Sequence, residues 1–329
     1  MARQSKLMST TMTTVLSVLA LSLAACSAPV GNLFYGTLAK GSPVVIVASG
    51  VTGGSQAVVA YDTNGTFLEN IADLTNSNLT PVGLAPKDGF SFVVALGQAA
   101  AAGTLNSFFT TGGYANFVNN SNLNGQLFQM SYDLNTKTYM VIKANTVEGF
   151  DVKGNRIGNP FITTTIGACI LTTPKAMTMD PVNKRLWVTN TAVTAGLTVY
   201  DISNINSPAC ITKNVSMGAN SPLPVVYHDS GWVYSIAQTP RILYAFSAAT
   251  PTTAGVAVFT DAGNSILTTS TAMAEMPDGT LLIASAGTNK GIDRFQVSGS
   301  AAATRVGTTA FIRDVFTAQV NDIMVLKGL

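Results

Sequence analysis

Turn-forming residues recur along the sequence at a nearly constant interval of about 48 residues. Each turn separates two short runs rich in β-branched and aromatic residues, such as Val225–Tyr227 and Trp232–Tyr234. Asp, Asn and Gly favour tight hairpin turns because they tolerate positive φ or cap the bend with a side chain. The spacing therefore predicts a repeated β-hairpin, and the chain has no long amphipathic helical pattern. The turns lie at positions 88, 135, 183, 229 and 278, which are 47, 48, 46 and 49 residues apart.

Both ends of the sequence fall in the same phase of this repeat. Lys40-Gly41 precedes Val44–Val47, Lys327-Gly328 follows Ile323–Leu326, and the 287 residues from 40 to 327 hold six repeats of about 48. A period of about 40–50 residues with four short strands is typical of β-propellers. We therefore predict an all-β, six-bladed propeller over residues 43–329, with seven blades as the alternative. Val320–Leu326 is expected to be the innermost strand of the first blade, which closes the ring and leaves no unpaired terminal edge.

One repeat carries a family pattern. The segments involved resemble the YVTN/NHL class of β-propeller repeats, and Leu186–Asn190 stands where that class carries its namesake Tyr-Val-Thr-Asn. The resemblance implies a propeller that serves as a platform for binding, but it implies no particular reaction. The sequence departs from the class in its period, since YVTN repeats are usually shorter and often give seven blades. The segments are Pro174–Ala176, Asp180-Pro181, Asn183–Asn190 and Leu197–Asp201.

The first 25 residues are typical of an export signal. Arg3 and Lys6 precede an uncharged stretch from residue 8 to residue 25, whose apolar centre is too short to span a bilayer. The stretch ends in Leu23-Ala24-Ala25-Cys26, which resembles a bacterial lipobox. The resemblance implies attachment of diacylglycerol to Cys26 through a thioether, then cleavage before Cys26, and finally N-acylation of that residue. Ser27 resembles the residue at this position in lipoproteins sorted to the outer membrane.

These features divide the chain into three parts. We predict a lipoprotein signal peptide at residues 1–25, a lipidated Cys26 with a tether at residues 26–42, and the propeller at residues 43–329. An ordinary cleaved signal with a coincidental cysteine is the alternative. The expected location is the bacterial outer membrane, with the propeller facing the periplasm or the cell surface.

Charge excludes one class of partner. Charged residues make up 10% of the sequence, and removal of Arg3 and Lys6 leaves 18 − 2 = 16 basic residues against 16 acidic ones. Nucleic acids bind proteins largely through basic surfaces that displace counterions from phosphates. We therefore expect no nucleic-acid partner.

Two cysteines remain beside Cys26. Cys169 and Cys210 both occur as Ala-Cys-Ile, 41 residues apart, in a protein expected to be exported. Disulfides persist outside the reducing cytosol, so we predict a bridge between them, with two buried free thiols as the alternative. No metal site or other cofactor is predicted, because the chain has a single histidine.

The residues give little support for catalysis. His228, beside Asp229 at a predicted turn, is expected to be a solvent-exposed turn residue, and no catalytic residue is assigned. Propeller lactonases hold a divalent metal with carboxylates and Asn along the central tunnel, whereas Glu occurs only three times here and most Asp residues fall at turns. A lactonase-like metal hydrolase is therefore kept as the alternative function.

A side-chain amide follows the second strand of five repeats. Because their spacings of 47, 45, 48 and 51 follow the repeat, we expect these amides to ring one mouth of the propeller, with Lys175 and Arg241 nearby. Amides donate and accept hydrogen bonds without charge, which suits a neutral polar ligand such as a glycan, or a protein loop. They could equally satisfy backbone groups at strand ends. The candidate ligand-binding residues are Gln98, Asn145, Asn190, Gln238 and Asn289.

The sequence thus predicts a lipid-anchored, monomeric propeller of the cell envelope. We expect it to act as a non-enzymatic binding or scaffold module for an envelope protein or a glycan, attached to the membrane through its lipid. A propeller whose tunnel is filled by side chains, with no small ligand, is the third possibility.

Overall fold

The computed structural model is an all-β protein with no helix among the residues it describes. Description covers residues 42–327 apart from short segments, so Cys26, Gln98 and Asn289 lie outside it. The gaps are 51–55, 75–79, 88–90, 98–102, 110–113, 119–122, 124, 192–195, 216, 218–219, 264–265, 268, 287–290 and 314–318.

Six antiparallel sheets form the blades of a β-propeller, as the repeat predicts. Blade 1 contains Val44–Gly50 (β1), Gln56–Tyr61 (β2) and Phe67–Asp73 (β3), and blade 2 contains Thr80–Pro86 (β4), Ser91–Gly97 (β5), Thr104–Phe109 (β6) and Tyr114–Val118 (β7). Blade 3 contains Leu127–Asp133 (β8), Thr138–Lys143 (β9), Thr146–Phe150 (β10) and Arg156–Ile162 (β11). A small hairpin of Thr165–Ile166 (β12) and Cys169–Ile170 (β13) follows blade 3.

The second half of the chain repeats the pattern. Blade 4 contains Pro174–Asp180 (β14), Arg185–Asn190 (β15), Gly196–Asp201 (β16) and Ala209–Val215 (β17). Blade 5 contains Asn220–His228 (β18), Trp232–Thr239 (β19), Arg241–Ser247 (β20) and Val256–Thr260 (β21). Blade 6 contains Ser270–Glu275 (β22), Thr280–Ser285 (β23), Gly291–Gln296 (β24), Thr304–Arg305 (β25) and Ile312–Arg313 (β26), and Val320–Leu326 (β27) returns to blade 1.

The last strand closes the ring. β27 pairs antiparallel with β1, with Val44 opposite Leu326 and Val47 opposite Ile323, so the predicted pairing is confirmed. β27 is the innermost strand of blade 1, and β4, β8, β14, β18 and β22 take that place in blades 2 to 6. Each innermost strand contacts those of both neighbouring blades, and the six form an unbroken ring around the axis.

The predicted hairpin turns join the first and second strands of the blades, counted outward from the axis. Lys137 and Lys184 have φ of 54° in two of these turns, and Gly231 and Gly279 have φ of 83° and 77° in two others. The Asp88-Gly89 turn lies outside the described residues. Because strands alternate in direction, the third-to-fourth-strand turns share this end of the propeller. We call this end the turn face and the other end the opposite face.

The core lies between the blades, where the two sides of neighbouring sheets meet. Each of the six blade-to-blade junctions has its own cluster of buried apolar side chains in the described part of the chain. Trp187 is fully buried at the junction of blades 4 and 5, with its ring centroid 6.2 Å from that of Phe246. It therefore packs between blades, as expected for a large aromatic in a propeller.

A disulfide joins the blade 3–blade 4 connection to the outermost strand of blade 4. Cys169 in β13 and Cys210 in β17 are bonded, with Cα atoms 5.6 Å apart, so the predicted bridge is confirmed. Cys169 is fully buried. The bond closes a loop with a sequence separation of 41 residues, which restricts the unfolded chain.

We predict that the double substitution Cys169→Ala/Cys210→Ala lowers the free energy of unfolding by roughly 4 kcal/mol, the loop-closure entropy of a chain segment this long. Denaturant unfolding of wild type and variant measures the difference. Reductant should destabilise the wild type to the level of the variant and leave the variant unchanged. Equal stability of oxidised wild type and variant would contradict the prediction.

Candidate functional site

The axis of the propeller is built around a buried carboxylate. Each innermost strand has a ladder partner on one side only, so backbone N–H groups on its other edge face the axis and need acceptors. Asp322 of β27 supplies one: its Oδ2 accepts a hydrogen bond from the Leu84 backbone N at 2.8 Å. Its Oδ1 accepts from Gln129 Nε2 at 2.8 Å and from the Ile323 backbone N at 3.0 Å. Asp322 therefore links blade 1 to blades 2 and 3.

Side chains on two other innermost strands accept hydrogen bonds from the next blade in the same way. Gln129 Oε1 in blade 3 accepts a hydrogen bond from the Met177 backbone N in blade 4 at 3.1 Å. Thr178 Oγ1 in blade 4 accepts one from the Tyr227 backbone N in blade 5 at 2.8 Å. Polar side chains of one blade thus satisfy the inner-edge N–H groups of the next. Around these residues, the side chains at the axis connect neighbouring blades.

Burial controls the acidity of the axial carboxyl. Asp322 is 2% exposed, and this burial raises its pKa to about 7. The hydrogen bonds from Gln129, Leu84 and Ile323 act in the lowering direction but do not overcome the desolvation. Neither Asp322 nor Gln129 is among the residues predicted from the sequence. A signal was present, since Asp322 is a charged residue inside a strand predicted to be innermost, and a buried charge requires partners.

A metal ion would need several ligands close together. Among the described residues, no group of three or more His, Cys, Asp and Glu side chains is arranged to hold one. Asp322 itself has its carboxylate oxygens engaged by three donors.

Three of the five predicted amides lie at the opposite face. Asn190, which is buried, accepts hydrogen bonds at Oδ1 from the backbone N atoms of Thr172 and Thr173, both at 3.2 Å, and donates from Nδ2 to Ile170 O at 2.7 Å. Gln238 Nε2 donates to Ser270 O at 3.1 Å and so joins blade 5 to blade 6.

Asn145 differs from these two amides, because its side chain is exposed in the turn between β9 and β10. Gln98 and Asn289 fall outside the described residues. The structure thus places Asn145, Asn190 and Gln238 at the ends of second strands, and their use by a ligand remains a prediction.

A cation lies over an aromatic ring near the start of β14. Lys175 Nζ is 3.7 Å from the centroid of the Phe128 ring in blade 3. Partial burial lowers the pKa of Lys175. The pair adds a cation–π contact between blades 3 and 4 at the inner strands. Arg241, the other predicted cation, begins β20 and pairs with Gln238.

The expectation for His228 is wrong: the residue is 7% exposed and buried at the turn face. Its Nδ1 accepts a hydrogen bond from the Ser230 backbone N at 3.0 Å and lies 2.6 Å from Ser230 Oγ. Nε2, which carries the proton in this arrangement, donates to Gly279 O at 2.9 Å. A turn of blade 6 thus covers the ring, and the imidazole caps its own turn as Asp180 caps the blade 4 turn.

An ion-pair cluster beside His228 connects the end of the closing strand, β27, to blades 5 and 6. Lys327 Nζ lies 2.6 Å from Asp229 Oδ2 in blade 5 and 3.3 Å from Glu275 Oε2 in blade 6. Glu275 Oε1 also accepts a hydrogen bond from the Asp229 backbone N at 3.0 Å. Partial burial lowers the pKa of Lys327, but its hydrogen bonds and charge interactions with the two carboxylates raise it above its usual value. The cluster places the end of β27 among the turns of the turn face.

Comparisons identify the fold. No family model matches the sequence, and no curated protein matches it. The chain is similar in structure to a chain of a nidogen/laminin complex, with a TM-score of 0.66 at 12% identity, over 87% of this chain and 100% of that one. A candidate 6-phosphogluconolactonase from Bacteroides uniformis matches with a TM-score of 0.60 at 15% identity over 83% of each chain. TolB from Acinetobacter baumannii matches with a TM-score of 0.57 at 11% identity, over 87% of this chain and 66% of that one. Identities this low show a shared β-propeller fold and no function.

We predict that Asp322→Asn removes a pH dependence of stability. The carboxyl has a pKa of about 7 in the folded protein, against an ordinary value of 3.8 for an aspartate. Between these values the folded state holds the proton more tightly than the unfolded state, so stability falls as pH rises. The free energy of unfolding of wild type minus that of Asp322→Asn should therefore fall by roughly 3 kcal/mol between pH 4 and pH 7.

Denaturant unfolding at several pH values measures this difference. Asp62→Asn, at a surface turn of blade 1, is the control and should not reproduce the effect. A difference between wild type and Asp322→Asn that stays constant with pH would contradict the prediction.

Proposed function

We propose that this protein is a lipid-anchored β-propeller of the bacterial cell envelope that acts as a non-enzymatic binding module for a protein or a neutral polar ligand. The proposal rests on the way in which the residues at the propeller axis are hydrogen-bonded to one another. The axial carboxylate of Asp322 accepts hydrogen bonds from Leu84, Gln129 and Ile323 and so holds blades together. Binding is therefore assigned to the loops of the faces.

The lipid anchor is supported by the N-terminal sequence. A basic start, a short apolar stretch and the Leu23–Cys26 lipobox occur in the order that lipoprotein signals require. Several acyl chains on Cys26 give stable membrane attachment, whereas one chain gives only marginal attachment. No helix in the described part of the chain is long and apolar enough to cross a membrane.

Two observations support a binding role at the opposite face. Among the described amides, that of Asn145 is exposed in the second-to-third-strand turn of blade 3 at this face. An amide donates and accepts without charge, which suits carbonyl, amide and hydroxyl groups of a protein loop or a glycan. The nidogen/laminin complex also shows this fold in a chain that belongs to a protein assembly.

A lactonase-like hydrolase is the second candidate. The favouring observation is the structural likeness to the candidate 6-phosphogluconolactonase. Metal-dependent hydrolysis of 6-phosphogluconolactone by the purified protein, abolished by a chelator, would favour this candidate over the binding module.

We predict that Cys26→Ala abolishes lipid labelling and releases the protein from the membrane fraction or leaves it as an unprocessed precursor. The physical reason is that all acyl chains of the proposed anchor are attached to this residue. Metabolic labelling with an alkyne fatty acid and fractionation of cells measure the effect. Ser27→Asp is the control: it should keep the lipid and move the protein to the inner membrane. Unchanged labelling of Cys26→Ala would refute the anchor.

We predict that Asn145→Arg weakens binding of the envelope partner while leaving the melting temperature unchanged, since the side chain is exposed and the bulky cation would occupy the predicted surface. Asn64→Arg, exposed in the third-to-fourth-strand turn of blade 1 on the turn face, is the matched control and should bind like wild type. Pull-down from detergent-solubilised envelope, quantified by mass spectrometry, measures recovery. Equal loss of partners with both variants would contradict the assignment to the opposite face.

A further inference from the structure

The described chain enters the propeller at the turn face. Val44 is opposite Leu326 at the end of β27, and Lys327 contacts Asp229 in the blade 5 turn. Ser42, two residues before Val44, therefore lies at the same end of the molecule as the hairpin turns. Any membrane anchor attached N-terminal to Ser42 is therefore connected to the turn face.

The proposed anchor is close to this point along the chain. Residues 27–41 separate Cys26 from Ser42, which is 41 − 26 = 15 residues. The 16 steps from Cys26 to Ser42 span at most about 58 Å even when fully extended. A lipid on Cys26 would therefore keep the turn face within that distance of the bilayer.

Exposed apolar side chains lie on the turns of blades 3 and 4 at this face. Leu134 and Val182 occupy first-to-second-strand turns and are 69% and 75% exposed, and Val152, in the third-to-fourth-strand turn of blade 3, is 41% exposed. The two first-to-second-strand turns touch, since Asn135 Nδ2 donates to Pro181 O at 2.8 Å. We call Leu134, Val152 and Val182 the apolar patch.

Each member of the apolar patch has an exposed lysine within three residues. These lysines are Lys137, Lys153 and Lys184. Asp133 and Asp180, the acidic residues of the two first-to-second-strand turns, are buried and accept hydrogen bonds from backbone N atoms within their own turns. Asp151, beside Val152, is half-buried and accepts a hydrogen bond from the Lys153 backbone N. The exposed charged side chains of the two first-to-second-strand turns are therefore the lysines.

We propose that the turn face docks on the lipid bilayer that holds the acyl chains of Cys26. The apolar patch enters the headgroup region, and the three lysines lie at the level of the anionic phosphates. Apolar insertion together with basic residues is the combination that binds proteins to membrane surfaces. The proposal rests on the proposed lipid anchor and adds an orientation to it: the opposite face, with Asn145, points away from the membrane.

A protein is the other class of partner for such a surface, but the position of the tether favours the bilayer. The chain leaves from the turn face, so the anchor brings this face to lipid before any other partner. Binding to a surface already held nearby requires little affinity, because the tether raises its effective concentration.

The test measures the depth of single sites in the full-length lipidated protein. Leu134→Cys and Val182→Cys carry an environment-sensitive fluorophore, and the protein is reconstituted in vesicles of phosphatidylethanolamine and phosphatidylglycerol that contain brominated lipid. The introduced thiol is the reactive one, because Cys169 and Cys210 are bonded to each other and Cys26 is lipidated. We expect quenching at both positions.

Asn145→Cys provides the matched control. Asn145 is exposed in the turn between β9 and β10, at the opposite face, and is distant in sequence from Cys169 and Cys210. A probe there should not be quenched. Equal quenching at all three positions, or none at residues 134 and 182, would overturn the proposal.

A second variant tests the lysines separately. Lys137→Glu/Lys184→Glu should reduce quenching at position 182 in vesicles that contain phosphatidylglycerol, while Lys213→Glu on the outermost strand of blade 4 should leave it unchanged. Unchanged melting temperatures establish that the variants fold. Shielding of position 182 in whole cells but not in vesicles would overturn the proposal in favour of a protein partner.

The two proposals fail in different ways. If Cys26→Ala retains the lipid label, the anchor itself is refuted. If the label is lost in Cys26→Ala but the lipidated wild type shows no quenching at the apolar patch, only the docking of the turn face is refuted.

Discussion

The pairing of β27 with β1 is the interaction on which the rest of the structure depends. It joins residues 320–326 to residues 44–49 and completes blade 1 from the two ends of the chain. Without this ladder, blade 1 would lack its innermost strand, and the clusters on both of its sides would be incomplete. Those clusters connect blade 1 to blades 2 and 6, so closure of one sheet makes the ring continuous.

Polar contacts at the axis and at the turn face reinforce this closure. Asp322 and Lys327 both lie on or directly after β27, and between them they contact blades 2, 3, 5 and 6. The closing strand and the residue directly after it therefore make polar contacts with four of the other five blades. An uncompensated buried carboxylate would destabilise the fold, which explains why three donors surround Asp322.

The fold could be read from the sequence because its signals are local and repeated. Turn residues near 135, 183, 229 and 278 fix the hairpins, and the equal phase of the two ends predicts the closure. The candidate site could be predicted from the sequence only in part. Nothing local links Asp322 to Gln129, which are 193 residues apart, and His228 was expected to be exposed because the covering carbonyl belongs to Gly279 in another blade. Tertiary neighbours of this kind decide burial and partners, and one sequence does not contain them.

The position of β1 has a mechanical consequence. β1 lies between β27 and β2 and forms an antiparallel ladder with each of them. A force that pulls Ser42 away from the turn face acts along the axis of β1, at right angles to the hydrogen bonds of both ladders. The bonds then share the load in shear instead of opening one after another. The point where the chain enters the propeller is therefore built to resist extraction of the strand under tension.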